Sequence, residues 1–337
     1  MPRRLLLVLL TLAAAAAALA ASAAGSPSRR SAAHLSLVAY STPAAAFAKI
    51  IPAFQATAAG KGVTFDQSYG PAETQVRAIL SGLSADVVDF ALEPNVTDLL
   101  RAGLVSPTWN QNRYHGFVTR SVVVFVVRDG NPKHIRTWDD LVKPDVQVVT
   151  PNPFTSGGAR WNVMAAYGAM LREHKTPQQA VAYLRDLFRN HVVSQDTSAR
   201  NALQTFLAGK GDVLLTYENE AILAKQQGQP VFYLAPKATI QIENPVAVLS
   251  TSRNKAAAQA FLDYLYTPAA QTIFAQTGYR PVVPSVYRRF AAQYPIPKQL
   301  FKIGYVGGWP KVTKQFFDPK TGVMARIEQE LGVSTDG

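Results

Sequence analysis

The run Asn152-Pro153-Phe154-Thr155-Ser156-Gly157-Gly158-Ala159-Arg160-Trp161-Asn162 decides how the rest of the chain is read. In front of it, Val146-Gln147-Val148-Val149-Thr150 is short, apolar and β-branched, as a buried strand requires. Behind it, Ala159 to Arg172 carries apolar residues at helical spacing, so the two glycines fall at a strand-to-helix turn. The first N–H groups of a helix have no partner within the helix, and the helix dipole makes that end electropositive. A sulfate or phosphate placed there meets several donors at once. Glycine lets the backbone come close to such a ligand, and the Ser156 hydroxyl adds a donor. On residue type alone a plain helix entry is the commoner reading, since Ser and Gly both favour such positions.

On the N-terminal side, Leu35 to Tyr40 reads as a strand that leads into a helix with Phe47, Ile50, Ile51 and Phe54 on one face. Val63 to Ser68 is a second strand, followed by the turn Tyr69-Gly70-Pro71. Next comes a helix predicted from about Ala72 to Leu83, with Val76, Ile79, Leu80 and Leu83 inward. Val87 to Ala91 reads as a buried strand, and Val122 to Val127 is the most strand-like segment of the chain. On the C-terminal side, Asp212 to Tyr217 and Asn244 to Leu249 read as strands, and Ala256 to Tyr266 and Pro268 to Gln276 as helices. There is no internal repeat. Strands alternating with helices predict an α/β fold. A strand crossing back between two lobes would leave a ligand cleft where helix starts converge. The expected boundaries are 35–120 plus 245–337 for lobe 1 and 121–244 for lobe 2.

The 337 residues are 48% hydrophobic and 17% charged, a globular balance with chain enough for two domains. Residues 1–24 read as a secretory signal peptide. Met1-Pro2-Arg3-Arg4 is the basic end, Leu5 to Leu12 and an alanine run are the apolar stretch, and Ala21 to Ala24 are small enough for cleavage. A Ser/Ala/Arg linker follows over 25–34. No later run is long and apolar enough to span a bilayer, so the mature chain is expected to be soluble and periplasmic. The chain has no cysteine, which excludes a lipid-modified cysteine and disulfides and leaves stability to the core. Of the 34 basic residues, Arg3 and Arg4 leave with the signal; the remaining 32 against 22 acidic residues give a formal charge of +10. These charges are dispersed rather than interleaved with aromatics, which favours a solvated basic surface over nucleic-acid binding.

At Asn152 to Asn162 the chain closely resembles the periplasmic sulfate-binding proteins of ATP-driven importers, in which Asn-Pro-x-x-Ser-Gly-Gly-Ala-Arg-Trp-Asn is a hallmark. Ser68-Tyr69-Gly70 with Gln75, Arg128 to Lys133, Trp138 to Leu141, Ala199-Arg200, Asp212 to Ala221 and Val306 to Trp309 match the same family in the same order. The resemblance covers nearly all of the mature chain. It implies the two-lobed periplasmic-binding-protein fold of type II, closed around a dehydrated sulfate held by neutral donors, without a lysine, arginine or metal in contact. Carried over residue by residue, Ser156 would give its hydroxyl, Gly157 and Gly158 their amides, and Ala199 its amide. Ser41 aligns with a family aspartate and Ala72 with a family serine, each of which presents its amide. Tyr217 aligns with a family tryptophan whose indole N–H reaches the anion; a phenol can donate there and can also accept. Glu73 and Thr74 stand where the family usually has Gly and Lys, and a carboxylate at position 73 must point away from a dianion or be protonated. The implied partners are the oxyanion and an inner-membrane ABC permease, with the receptor a monomer, without cofactor, metal or catalytic residue.

Arg160 and Arg200 lie just inside helix starts and suit ion pairing around a site as well as contact with an anion. Trp161 reads as core, Gly307-Gly308-Trp309 as a structural turn, and Tyr217 fits packing and ligand contact equally. His34, His115, His134, His174 and His191 lack metal-ligand spacing. Asp139-Asp140 reads as a cap or surface pair. The competing class is an exported sulfate or phosphate ester hydrolase, which needs a nucleophile with a base or metal; no G-x-S-x-G or complete P-loop is present. Within the binding class, thiosulfate, molybdate, tungstate and phosphate stand as alternatives to sulfate.

Overall fold

The strands, most of them rich in β-branched and aromatic residues, are β1 (His34–Tyr40), β2 (Thr64–Gly70), β3 (Val87–Asp89), β4 (Phe117–Arg128), β5 (Val148–Pro151), β6 (Val192–Asp196), β7 (Val213–Tyr217), β8 (Val231–Leu234), β9 (Ala238–Val248), β10 (Arg280–Pro281) and β11 (Gln299–Phe301). Between and after them lie the helices α1 (Ala44–Gln55), α2 (Ala72–Leu80), α3 (Glu93–Arg101), α4 (Gly157–Arg172), α5 (Pro177–Asp186), α6 (Ala199–Leu207), α7 (Glu218–Gln226), α8 (Lys255–Leu265), α9 (Pro268–Gln276), α10 (Pro284–Arg289), α11 (Gly308–Phe316) and α12 (Val323–Glu330). This computed structural model describes residues 33–335. The signal peptide expected over 1–24 and most of the linker expected over 25–34 lie outside them.

The strands run β2-β1-β3-β9-β4-β7-β5-β6 across one mixed sheet. β1 is parallel to β2 and β3, and β5 is parallel to β6 and β7. The long strands β4 and β9 join these two parallel sets. β9 pairs with β3 through Val246 to Val248 and with β4 through Gln241 to Pro245, and β4 continues beside β7 from Val123 to Val127. Each strand of the two sets is followed within a few residues by a helix start, so the carboxyl ends of β1, β2, β3, β5, β6 and β7 carry the N-termini of α1, α2, α3, α4, α6 and α7. In open α/β sheets ligands bind at such carboxyl ends.

α4 is buried along every residue from Gly157 to Met170, so it has no solvated stripe and must be covered on all sides. Trp161 packs edge-on against Trp309 with centroids 4.7 Å apart, and Tyr167 against Phe316 at 4.7 Å. The Arg160 guanidinium lies 5.2 Å from the Phe317 ring. Asn162 anchors the first turns by donating to Thr150 Oγ1 at 3.0 Å and to the Leu215 carbonyl at 2.9 Å.

Three sequence expectations change. α2 ends at Leu80, because Gly82 adopts φ +106° and stops the helix, and Leu80 and Leu83 are 46% and 43% exposed rather than inward. β9 begins at Ala238, ahead of the apolar run from Asn244; its polar residues Gln241 and Glu243 alternate with buried Ile240 and Ile242. His34 belongs to β1, where its ring hydrogen-bonds Thr64 and Asp66 at 2.8 Å each. β6 is half-buried at all five positions, and no apolar pattern marks it in the sequence.

Glu328 of α12 is fully buried and accepts from Gln195 Nε2 of β6 at 2.8 Å. Its Oε1 and the Gln195 Oε1 are both buried acceptors without a donor, which a proton on Glu328 would supply. Burial pushes the Glu328 carboxyl up to about 7 against the Gln195 hydrogen bond. A carboxyl whose folded value lies above its unfolded one stabilises the fold below the unfolded value and loses that contribution as pH rises through the folded one. Glu328→Gln is therefore expected to melt close to wild type near pH 5 and several degrees higher at pH 8, read by calorimetry. A difference independent of pH would reject this role.

Candidate functional site

One small cavity sits at the converging helix starts. It is lined by Ser41, Ala72, Ser156, Gly157, Gly158, Ala199 and Tyr217, the seven residues singled out from the sequence, together with Tyr40, Pro71 and Ala91. Its whole empty volume, about 180 Å³, lies below the roughly 300–1,000 Å³ of drug-sized ligand sites. Larger clefts lie elsewhere among the described residues, and the one bounded by Trp109, Ala247 and Tyr266 holds the start of a single helix, at Lys255. Tyr40, Pro71 and Ala91 were not marked in the sequence as site residues. Tyr40 ends β1, Pro71 directly follows β2 and Ala91 lies two residues past β3, and the rule that ligands sit at carboxyl strand ends is the signal that finds them.

Ala72 opens α2, Gly157 and Gly158 open α4, and Ala199 opens α6. The amides of these four residues make no hydrogen bond to another backbone group, as expected for the first turn of a helix. Ser156 is the N-cap of α4, 4% exposed, and its hydroxyl caps no amide of that helix. Ser198, by contrast, spends its hydroxyl on the Asn201 amide at 3.1 Å. Tyr217 is the N-cap of α7 and 1% exposed, and its Oη is buried without a hydrogen-bond partner. Burial, with Tyr279, Glu220 and Asp89 adding to it, holds the Tyr217 hydroxyl well above its ordinary range, so it stays protonated.

The two glycines are set by contact. A Cβ on Gly157 would lie 2.6 Å from the Ala91 Cβ and 2.9 Å from the Leu92 Cγ. On Gly158 it would lie 2.7 Å from the Tyr217 ring, 3.3 Å from the Ala199 Cβ and 3.4 Å from the Ser156 Oγ. Only glycine lets these segments approach so closely. The Ala91 carbonyl is held by Trp161 Nε1 at 2.8 Å and Asn244 Nδ2 at 3.3 Å, which fixes the wall facing Gly157. Thr155 Oγ1 donates to the Thr197 carbonyl at 2.8 Å and ties the start of α4 to that of α6.

All ten lining residues are uncharged; one layer back stand two ion pairs and the unpaired Asp89, whose carboxyl burial holds well above its ordinary range. Arg200 binds Glu220 through two bonds of 2.8 and 2.7 Å and donates to the Thr42 carbonyl at 3.2 Å. Burial works against its charge, but Glu220 beside it keeps Arg200 protonated, above its ordinary range. Arg160 donates to the Pro153 carbonyl at 2.9 Å and lies 3.5 Å from Glu73. Glu73 also accepts from Asn95 Nδ2 at 2.9 Å and does not line the cavity. Its carboxylate is thus turned to Arg160 and Asn95, which answers the concern raised by its place beside a helix start. Among the described residues, no group of three or more His, Cys, Asp or Glu is placed to hold a metal ion.

Residues 35–280 match the model of the bacterial extracellular solute-binding protein family. The chain is 42% identical to the sulfate-binding protein of Synechococcus elongatus over 293 residues, covering 84% of this chain and 83% of that one. The chain belongs to the sulfate-binding protein family. It is also 35% identical to the thiosulfate-binding protein of Escherichia coli, covering 80% of this chain and 84% of the relative. The solved structure of the sulfate-binding protein SubI from Mycobacterium tuberculosis H37Rv is similar throughout, with a TM-score of 0.83 at 43% identity over 85% of this chain and all of SubI. The mixed α/β fold is that of these binding proteins.

Proposed function

We propose that this chain is an exported receptor that captures sulfate, or its analogue thiosulfate, and delivers it to an ATP-driven permease of the inner membrane. It breaks no bond and acts as a monomer. Residues 35–120 plus 245–337 and residues 121–244 serve as two lobes that close over the ligand about the paired strands β4 and β9. The observation that carries this reading is the cavity of uncharged residues at three helix starts, with the nearby Arg160 and Arg200 each paired to a carboxylate. Ser41, Ala72, Gly157, Gly158 and Ala199 offer amides, and Ser156 and Tyr217 hydroxyls.

Burying a bare dianion forfeits far more hydration than one hydrogen bond returns, so the site has to supply many aimed dipoles. Bonds to a charged partner contribute roughly 1.5–3 kcal/mol each net. Donors fixed on helix starts lose little entropy on binding, and exclusion of water strengthens them. Sulfate accepts at every oxygen, whereas phosphate near neutral pH carries a proton for which the amides of this pocket offer no acceptor and only its hydroxyls could. Thiosulfate is favoured as the second ligand by the 35% identical thiosulfate-binding relative.

Thermal-shift competition among sulfate, thiosulfate, molybdate and phosphate tests the reading, since a ligand of the folded state raises the melting temperature. Sulfate and thiosulfate are expected to give the largest shifts; no shift with any of them would refute it. Ser156→Ala is expected to weaken sulfate about 10- to 100-fold by calorimetry, from the loss of one charge-assisted bond. Unchanged affinity would remove Ser156 from the site.

A further inference from the structure

We infer that the Tyr40 hydroxyl is a direct ligand of the captured oxyanion, a second phenol donor beside Tyr217. The inference rests on the receptor reading above and extends the binding set to a residue that the resemblance does not supply. Tyr40 closes β1 and lines the same cavity as Ser156, Gly158 and Tyr217. Its ring centroid is 6.0 Å from that of Tyr217 at an interplanar angle of 50°, so the two phenols stand side by side. Tyr40 is 3% exposed, and its Oη, like that of Tyr217, is buried without a hydrogen-bond partner. The hydroxyls of Thr42 and Tyr279 satisfy each other at 2.9 Å; both lie beside the Tyr40 hydroxyl, and Thr42 partly offsets the effect of its burial, yet neither meets it with hydrogen-bond geometry.

A buried hydroxyl with no partner is costly and calls for an explanation. Packing alone does not provide one, since phenylalanine would fill the same space without a polar atom to desolvate. Two such hydroxyls in one small cavity, beside helix-start amides that have no backbone partner, are explained together by a ligand that accepts from both. A tetrahedral oxyanion has oxygens enough to do so while the helix starts occupy the rest. Burial also holds the Tyr40 hydroxyl well above its ordinary range, so it remains a neutral donor.

The test is Tyr40→Phe, compared with the full-length wild type by calorimetric titration with sulfate and by melting of the ligand-free protein. Sulfate affinity is expected to fall about 10- to 100-fold, the effect of losing one bond to a charged acceptor. The ligand-free melting temperature is expected to stay level or rise, because the substitution removes a buried group that has no partner within the protein. A structural hydroxyl would move that temperature down. Wild-type affinity in the variant, or a weakening accompanied by a lower ligand-free melting temperature, would overturn the inference and leave the receptor reading intact. If the wild type itself takes up no sulfate in the titration, the receptor reading falls and this inference falls with it.

Discussion

Gly157→Asp is expected to abolish sulfate capture, lowering affinity by about 1,000-fold or more. Two effects act together. Even a Cβ at this position comes within 2.6 Å of the Ala91 Cβ, so the wall formed by Ala91 and Leu92 has to shift. The added carboxylate then stands at the helix start where the anion is held. A carboxylate and a dianion about 4 Å apart repel by about 8 kcal/mol at an effective dielectric constant near 20, which alone exceeds three orders of magnitude. Gly157→Ala separates the causes, since it brings the crowding without the charge and is expected to fall between wild type and Gly157→Asp. Calorimetric titration at low ionic strength reads both variants. If Gly157→Asp bound sulfate as wild type does, the anion would not sit on this helix start.

The largest effect on stability is expected from Arg280→Ala. Arg280 and Glu218 are 5% and 2% exposed and form a two-point pair, Nε to Oε2 at 2.6 Å and Nη2 to Oε1 at 2.9 Å. Arg280 also donates to the Pro295 carbonyl at 2.9 Å. Removing the arginine leaves a buried carboxylate uncompensated, and such losses run to about 3–5 kcal/mol. Burial already raises the Glu218 carboxyl against the pull of Arg280, so without the arginine it folds better protonated. The melting temperature is expected to drop by on the order of 10 °C at pH 7.5 and by less near pH 5. Glu218→Gln added to Arg280→Ala should restore part of the loss by removing the stranded charge. A drop equally large at both pH values, with no rescue, would mean that packing rather than charge holds this corner. Because Glu218 directly follows Tyr217, the pair also fixes the position of a cavity wall.

The strand-to-helix turn at residues 152–162 was readable because each of its signals is local: a β-branched run, a serine, two glycines and then helical spacing. Ala72, Ala199 and Tyr217 came to the site only through the resemblance, since an alanine at a helix start or a tyrosine at a strand end carries no such signal of its own. Ala91 lacked such a signal. An alanine after a short strand looks like any other, and its place opposite Gly157 comes from Trp161 and Asn244 holding its carbonyl. Tyr40 was legible as the end of a strand but not as an unpaired hydroxyl, which only the packing around it reveals. The fate of Glu73 depended on Arg160, far away in sequence, and on Asn95. β6 and the early end of α2 escaped for a different reason. Half-buried strands and exposed leucines weaken the periodic pattern on which such reading depends.

The helix that begins at Gly157 is walled in by Trp309, Phe316 and Phe317, and Asn152 in the preceding turn donates to the Ser334 carbonyl at 3.4 Å. The glycine turn therefore precedes in sequence, by about 150 residues, the segments that enclose it. Its donors gain a fixed direction only once Trp309, Phe316 and Phe317 have closed over that helix, and a chain cut short of Trp309 would carry every amide of the cavity without the scaffold that aims them.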